Sequence, residues 1–234
     1  MRRILALDSG YHFCSVALYE DGRPSWRSHE TRRGHGDVIL AMIDTLLGDS
    51  GCAKTAIDVL AFGRGPGAFT SLRVAAGIVQ GLAVGLERPV VAISSLAALA
   101  HGAYRQQQVE RAVVAIDARM NQIYSAAYET QALGQSRAVS GEYLSGPDQV
   151  SVPAGHWAAV GNGWILYPAL AQRCQSAGLQ YVESSGADSA IDIAWLAVTE
   201  FDAGRAVAAE LALPVYLRDQ VVHTPPSESA VSAQ

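Results

Sequence analysis

The sequence contains little charge, few aromatic residues and few cysteines. Charged side chains make up 17% of the 234 residues and aromatic ones 7%, and the net charge is −5 with a pI near 5.6. A protein that binds nucleic acid by itself usually carries a basic field, which this acidic chain lacks. Its three cysteines, Cys14, Cys52 and Cys174, are scattered and not at zinc-ligand spacing, which suits a reducing compartment.

The common catalytic and metal-binding motifs are also missing. No two of the six histidines are three or four residues apart, so the sequence has no His-x-x-x-His metal site. It has no Gly-x-Ser-x-Gly nucleophile elbow. The segment 63–67 lacks the lysine of a P-loop, and Ala68 replaces the last glycine of the dinucleotide fingerprint. We therefore expect no catalytic residue, metal or cofactor, and Asp8 and Asp117 are only weak candidates for contact with a nucleotide.

Long apolar runs are absent as well. The first run, residues 4–7, stops at Asp8 and is typical of a strand rather than of a signal peptide. A later run over residues 74–86 is too short to span a bilayer. We therefore expect a cytoplasmic protein without a membrane segment. Because 50% of the residues are hydrophobic, we also expect a large core and a surface that is partly covered in a complex.

The most informative stretch is a glycine-rich segment and the helix that follows it. Residues 57–62 are predicted to form a buried strand, and a helix at 72–86 is predicted to be capped by Thr70 or Ser71. We interpret the segment between them as a rigid loop that sets the angle of the helix, with a phosphate cradle as the alternative. The residues to which we assign this structural role are Gly63, Gly65, Pro66, Gly67 and Arg73.

The helix after this loop is unusually apolar. Between residues 74 and 86 only Gln80 is polar, and a helix that is apolar all round must be covered on all sides. Gly77, Gly81 and Gly85 recur every fourth residue and form a smooth stripe that lets another helix approach closely. Tight packing within the fold and a subunit interface both explain this composition.

The predicted elements divide the chain into two halves of similar architecture. The first hundred residues are predicted to fold as βββαβαβα, a mixed sheet covered by helices. Three glutamines at 106–108 are predicted to be a linker. After them the pattern strand–Asp–turn–strand–strand begins again at Asp117, as it began at Asp8. We therefore predict an α/β protein with two related domains.

The predicted domain limits are 1–105 and 106–222, followed by a disordered tail at 223–234. Within the second domain we predict a strand at 136–144, one helix at 164–177, and a last helix at 188–203 that could pack back on the first domain.

A local group of basic residues stands out in this acidic chain. We interpret it as a solvated edge strand with its following loop, or as a contact for RNA phosphates or an acidic partner. Its members are Arg23, Arg27, His29, Arg32, Arg33 and His35.

Four segments resemble, in order, motifs of the bacterial TsaB (YeaZ) family. They read ILALDSG…CSVALYEDG, FGRGPGAFTSLRVAAGIVQGLAVGLERPVVAISSLAALA, IDARMNQIYSAAY and PVYLRDQV. Together they cover about residues 1–128 and 213–221, and the glycine-loop segment is long and specific. The resemblance implies two ribonuclease-H-like domains of the actin/Hsp70 superfamily, each a mixed sheet flanked by helices.

The resemblance also implies a role. The family supplies a non-catalytic subunit for making threonylcarbamoyladenosine beside the anticodon of tRNAs that read ANN codons. It binds and activates a homologous catalytic subunit, TsaD, and a small ATPase, TsaE, joins the complex. The subunit is implied to dimerise with itself or with TsaD and to meet tRNA only through the complex.

The same resemblance implies that the first two helices of the chain form the interface. Carried over by position, the interface residues are Ile39, Ile43, Leu46, Leu47, Val74, Ile78 and Leu82.

Two other functions remain open from the sequence. An ATP-dependent phosphotransferase of the actin/Hsp70/sugar-kinase superfamily would use Asp8, the glycine loop and Asp117, and it would bind ATP with magnesium. A metallopeptidase would need the histidine spacing that the sequence lacks.

Overall fold

The computed structural model describes residues 2–9, 13–30, 35–184 and 186–218, which form two β-sheets with helices on their faces. The first sheet has the strand order β3-β2-β1-β4-β5, with β1, β2 and β3 antiparallel and β4 and β5 parallel to β1. Asp21 and Gly22 close the β2–β3 hairpin with positive φ angles of 44° and 87°, as a type I′ turn requires. The strands are β1 Arg3–Asp8, β2 Phe13–Glu20, β3 Arg23–Glu30, β4 Val59–Gly65 and β5 Val90–Ser94.

Two helices, α1 His35–Ser50 and α2 Phe69–Leu86, cover one face of this sheet. Strand residues two apart point to the same face, so alternate positions such as Leu5 and Leu7 enter the core beneath these helices. The intervening residues of the strands face the opposite side of the sheet and enter a separate core.

The second sheet repeats the strand order of the first. Its order is β11-β10-β6-β7-β8, with β6, β7 and β8 antiparallel, β10 and β11 parallel to β6, and β9 paired with β7. The predicted duplication of architecture is therefore confirmed. The strands are β6 Arg111–Asp117, β7 Ile123–Ala132, β8 Gln135–Ala138, β9 Tyr143–Ser145, β10 Ala158–Val160 and β11 Gln180–Val182.

The remaining helices are α3 Ser95–Gln107, α4 Gly163–Leu166, α5 Pro168–Ser176 and α6 Ser189–Asp202. Two of these helices pack against the sheet of the other half of the chain. The apolar face of α3, which directly follows the first sheet, packs against the second sheet. The apolar face of α6, which follows the second sheet, packs on the first. The two halves of the sequence therefore share cores, and the predicted domain limits stay a prediction.

The three glutamines predicted as a linker belong to α3. Gln106 and Gln107 form its last turn, and Gln108 is its left-handed C-cap with φ 57°. Gln106 also donates from Nε2 to the carboxylate of Asp188 at 3.0 Å, so the segment is held in place. Polar composition alone does not distinguish an exposed final helical turn from a connector.

Three other local predictions are corrected by the structure. Helix α2 begins at Phe69, before Thr70 and Ser71, and its N-cap is Ala68 without a side-chain hydrogen bond. The helix predicted at 164–177 is divided into α4 and α5, because a proline at the first position of α5 lacks the N–H that a continuous helix would use. The strand predicted at 136–144 is two short strands, β8 and β9. In contrast, α3 does have a side-chain cap, since Ser94 Oγ accepts from the N–H groups of Leu96 and Ala97.

Candidate protein–protein interface

Helix α2 is buried on one side only. Leu72, Ala75, Ala76, Val79 and Ala83 lie at helical spacing and pack toward the first sheet. Small alanines dominate this row, so the helix lies close to the strands. The side of α2 that faces the sheet therefore explains only part of its apolar composition.

The opposite side of α2 is lined by glycine and is not covered by any described part of the chain. A Cβ added at Gly77, Gly81 or Gly85 would meet nothing within 4 Å. Val84 stands on the same side and is 69% exposed. An apolar helix face that stays open to water is a candidate site for association. We call the face formed by these four residues the glycine stripe.

Helix α1 flanks the glycine stripe on one side. A Cβ at Gly36 would lie 3.8 Å from Val74 Cγ1, so the start of α1 lies beside the start of α2. Val74, Ile78 and Leu82 face this side at successive turns and are partly buried. Leu40 follows Gly36 by one turn and is 47% exposed. These side chains form an apolar flank between the two helices.

The four α1 residues expected in the interface lie in the chain's own core. Ile39, Ile43, Leu46 and Leu47 are 0–4% exposed and pack against the first sheet. They therefore fix α1 on the sheet, and a partner would meet other residues of the helix. Of the seven expected interface residues, the three on α2 reach the surface. The interface itself stays a prediction.

The other flank of the glycine stripe is a C-terminal segment that sequence analysis did not connect with it. We call residues 209–218 the C-terminal strap. Gln80, the single polar residue of the apolar run, donates from Nε2 to Ala212 O at 3.2 Å. Arg73 donates from Nε to the Tyr216 hydroxyl at 3.1 Å, and the rings of Tyr216 and Phe69 are 5.0 Å apart. The strap thus lies along α2 for about three turns.

The glycine-rich segment packs against other parts of the chain, and its first three residues extend β4 to Gly65 instead of starting a loop after residue 62. A Cβ at Gly63 would lie 2.3 Å from Asp8 Oδ1, and one at Gly65 would lie 2.8 Å from Leu72 and 3.1 Å from Val215 O. Val215 N–H also donates to Arg64 O at 2.8 Å. A phosphate at Gly63 would face the negative carboxylate of Asp8, which repels it. This geometry supports the structural interpretation of the loop.

Asp8, the first weak nucleotide candidate, is buried beside the start of α6. The Ser189 hydroxyl donates to Asp8 Oδ2 at 2.5 Å, and it also lies 3.2 Å from Ser15 Oγ. Burial, with the Asp8 charge as a second cause, raises the pKa of the neighbouring Cys14 thiol from 9.0 to about 11. Helix α6 therefore occupies the side of the sheet to which this carboxylate points.

Asp117, the second candidate, is held by its own half of the chain. Its Oδ1 accepts from the Tyr167 hydroxyl at 2.6 Å and from Arg119 N–H at 2.7 Å, and Arg119 Nη1 lies 3.2 Å from Oδ2. Burial, followed by the hydrogen bond to Asp117, raises the pKa of Tyr167 to about 12. Asp8 and Asp117 thus bind different side chains, and no described contact brings them to one site.

A polar network that sequence analysis missed joins the two sheets. Arg64 donates from both terminal nitrogens to the Glu142 carboxylate, at 3.2 and 3.1 Å. The Tyr128 hydroxyl donates to the same carboxylate at 3.1 Å and lies 3.3 Å from Ser94 Oγ. Burial, with the charge of Glu142 second, raises the pKa of Tyr128. Arg64, near the end of β4, therefore ties the first sheet to the second.

A second cluster resembles the His–Asp pair of hydrolases but has no free base. His101 Nδ1 lies 2.6 Å from Asp192 Oδ1, while Nε2 accepts from Gly134 N–H at 2.8 Å. Arg105 binds Asp192 through Nε and Nη2. Both ring nitrogens of the buried imidazole are in use, so the cluster braces α3, α6 and the β7–β8 turn. No three metal-ligating side chains converge among the described residues.

The basic group of the sequence is described only in part. Arg23, Arg27 and His29 lie exposed along the edge strand β3, while residues 32 and 33 and the side chain at 35 lie outside the described part. Arg27 is paired with Asp49 of α1 at 2.6 Å. An RNA contact at this edge stays a prediction.

Helix α2 is also the one helix in the described residues that is long and apolar enough to cross a membrane, judged by length and composition alone. Its 18 residues exceed the predicted 72–86, and a third of them are buried within the chain. Core helices of water-soluble proteins meet the same criterion.

Two sheets of one strand order, each flanked by helices, define an α/β protein built from two halves of the same architecture. Comparison with known proteins identifies the family within this class. The family model described as TsaD: tRNA N6-adenosine threonylcarbamoyltransferase matches residues 29–190. The tRNA threonylcarbamoyladenosine biosynthesis protein TsaB of Escherichia coli is 38% identical over 94% of this chain and 96% of its own length. TsaB of Haemophilus influenzae is 36% identical over 93% and 94%.

A solved structure agrees with these matches. YeaZ from Pseudomonas aeruginosa superposes with a TM-score of 0.83 at 41% identity, over 93% of this chain and 100% of that one. The chain belongs to the TsaB (YeaZ) family.

Proposed function

We propose that this chain is a non-catalytic subunit of threonylcarbamoyladenosine biosynthesis on tRNA, and that it acts by docking a homologous TsaD-type subunit on helices α1 and α2. Membership of the TsaB family supports the pathway. The observation that carries the mechanism is the glycine stripe, a face of α2 that no described residue covers.

The proposed partner has a related helix pair. The TsaD family model matches residues 29–190, a range that contains both α1 and α2. Two chains with equivalent pairs can associate through the same surface, either as a homodimer or as a mixed pair. Glycine on this surface lets helix backbones approach closely, which increases van der Waals contact.

The finer features of the proposal follow from this assembly. The catalytic step belongs to the TsaD-type subunit, a TsaE-type ATPase joins the pair, and tRNA is bound by the complex. The modified adenosine lies beside the anticodon of ANN-reading tRNAs, and the reaction takes place in the cytoplasm.

Val84→Arg tests the proposal more sharply than a change at Ile78. Val84 is exposed, so the variant should fold normally, whereas Ile78 is partly buried against the core of the first sheet. A charge placed in a closely packed interface loses water without gaining a partner, so we expect a loss of association of about 100-fold or more. Ile165→Arg, at another exposed apolar position on α4, is the matched control.

Sedimentation velocity measures the amounts of the homodimer and of the mixed complex. Nucleoside analysis of tRNA measures the extent of modification in the reconstituted reaction. We expect Val84→Arg to reduce both and Ile165→Arg to reduce neither. Wild-type association and tRNA modification by the folded Val84→Arg variant would contradict the proposal.

A further inference from the structure

We propose that Arg73 and Arg218 form a binding site for the phosphate backbone of RNA, through which this chain itself contacts tRNA within the complex. The inference rests on the proposed function, because a chain with a net charge of −5 is not expected to bind tRNA without other subunits. It adds a contact that the docking of a TsaD-type subunit does not require.

The two arginines lack the carboxylate partner that most arginines of this chain have. Most arginines in the described ranges form an ion pair with an aspartate or a glutamate. Arg73 instead donates from Nε to the Tyr216 hydroxyl. Arg218 donates to the carbonyl oxygen of Ala118 and to the sulfur of Met120. These neutral partners orient each guanidinium group but leave its positive charge uncompensated, which favours an anionic ligand such as phosphate.

The two arginines are connected through one short, anchored segment of the strap. Tyr216, the hydrogen-bond partner of Arg73, precedes Arg218 by two residues, a stretch of chain that spans at most about 7 Å. The segment is fixed to β4, because Val215 N–H donates to Arg64 O at 2.8 Å. Since its backbone is already ordered, little further ordering is needed when a ligand binds.

The surroundings of Arg73 suit a nucleic acid better than an acidic protein segment. Its guanidinium carbon lies 3.9 Å from the centre of the Phe69 ring and 6.0 Å from that of Tyr216, which is 41% exposed. Stacking on Phe69 fixes the guanidinium plane, and the two terminal nitrogens form no hydrogen bond with any described residue. A carboxylate would use the charge alone, whereas RNA brings a flat base beside every phosphate, which can stack on an exposed aromatic ring.

A third arginine adds hydrogen-bond donors next to Arg218. The contact of Arg218 with Ala118 O, at 2.8 Å, holds the turn between β6 and β7. Arg119 in this turn has a side chain that is 76% exposed and lies 3.2 Å from the carboxylate of Asp117. Because this ion pair is neutral, the net positive charge of the site comes from Arg73 and Arg218.

The proposed RNA site borders the proposed docking surface. Arg73 precedes Gly77 of the glycine stripe by about one helical turn, or about 6 Å along α2. The exposed acidic residue Glu210 lies at the opposite end of the strap. An RNA bound at Arg73 can therefore also contact a subunit that is docked on the stripe.

The test measures the tRNA affinity of the assembled complex when this chain carries Arg73→Gln. Arg73 is exposed, so the variant should keep the wild-type unfolding midpoint and should assemble normally in sedimentation. Each phosphate contact adds about 0.7–0.9 to the slope of log K against log salt. We therefore expect the slope to fall by that amount and the affinity to fall about five- to eightfold at 0.1 M salt. Arg137→Gln, which removes an arginine that is 71% exposed on β8, is the matched control and should change neither.

Two further positions separate charge from geometry. Tyr216→Phe keeps the ring and removes the hydroxyl that orients Arg73, so it should weaken tRNA binding less than Tyr216→Ala does. Arg218→Gln should lower the salt slope, whereas Arg218→Lys, which keeps the charge, should retain most of it. Because Arg218 also holds the β6–β7 turn, the unfolding midpoints of both variants are measured as well.

The outcomes separate this inference from the proposed function. If the wild-type complex assembles and the Arg73→Gln complex binds tRNA with wild-type affinity and salt slope, the inference is overturned and the proposed function stands. If the wild-type chain does not associate with a TsaD-type subunit, both fall. If Arg73→Gln weakens assembly but the assembled complex binds tRNA normally, the arginine makes a protein contact and the RNA site is overturned. If it lowers the affinity for ATP and not for tRNA, the site takes a free nucleotide, which also overturns the inference.

Discussion

Replacing two glycines of the stripe by alanine should make the single chain more stable and its association weaker. Gly77 and Gly81 lie inside α2, and a Cβ at either would meet nothing within 4 Å. Alanine is favoured over glycine in a helix by about 0.8–1.0 kcal/mol per residue. The double variant should therefore gain about 2 kcal/mol, which for a chain of this size raises Tm by roughly 4–8 °C.

Association must be removed before this gain is measured, because a dimer adds stability by mass action. We would therefore introduce Gly77→Ala and Gly81→Ala into the Val84→Arg variant and follow urea unfolding. In the wild-type background the same two methyl groups fill the stripe and hold a partner helix farther away. We expect sedimentation to show weaker self-association and weaker binding to a TsaD-type subunit.

Gly48→Ala is the matched control, since Gly48 is a helical glycine of α1 with nothing within 4 Å of its Cβ position. It should gain stability without a change in association. The reasoning is refuted if the double variant associates as the wild type does, because close helix approach would then play no part. It is also refuted if the double variant loses stability, because the stripe would then not be open within the chain.

Three further predictions concern the interior. Phe62→Ala, at a fully buried position of β4, should cost about 3–5 kcal/mol in urea unfolding. The raised pKa of Cys14 means that the native thiol should resist iodoacetamide at pH 8. Because the pKa of the Cys14 thiol is higher in the folded than in the unfolded chain, the contribution of this thiol to stability is complete below about pH 9 and is lost as pH rises toward 11. Cys14→Ala should reduce that loss of stability. Urea unfolding midpoints at pH 8 and 10.5 measure it. His101→Leu leaves the Gly134 N–H without its acceptor, so thermal unfolding should reveal a cost of about 1–3 kcal/mol.

Most of the architecture follows from local signals in the sequence. Short apolar runs, the Asp21–Gly22 turn and the capping serine Ser94 predict the order of elements in the first sheet, because each signal acts within a few residues. Boundaries that depend on distant contacts are less predictable. Helix α2 starts two or three residues earlier than Thr70 and Ser71 suggest, and nothing near those hydroxyls in sequence reveals it.

The sequence suggests that the last helix could pack back on the first domain, as α6 does, but not that α3 packs on the second sheet or which residues hold the two helices in place. Asp192 of α6 binds His101 of α3, and Ser189 binds Asp8, across 91 and 181 residues of sequence. Such pairs carry no local pattern, since each polar residue looks like an ordinary helix or turn position until the fold brings its partner close. The same holds for Arg64 and Glu142, which connect the end of β4 to the second half of the chain.

The candidate interface shows why helix composition alone selects the wrong residues on α1. A wide apolar face predicts burial but does not say whether a sheet or a partner covers it, and Ile39 and Ile43 are covered by the sheet. The glycines of α2 give different information. Each glycine within a helix lowers the stability of the chain relative to alanine. No described residue of the chain packs into the space where the missing Cβ atoms would be. Because these glycines recur every fourth residue on the uncovered side of α2, the simplest physical explanation for accepting their cost is a partner outside the chain. The stripe is therefore better evidence for the interface than the large apolar residues around it.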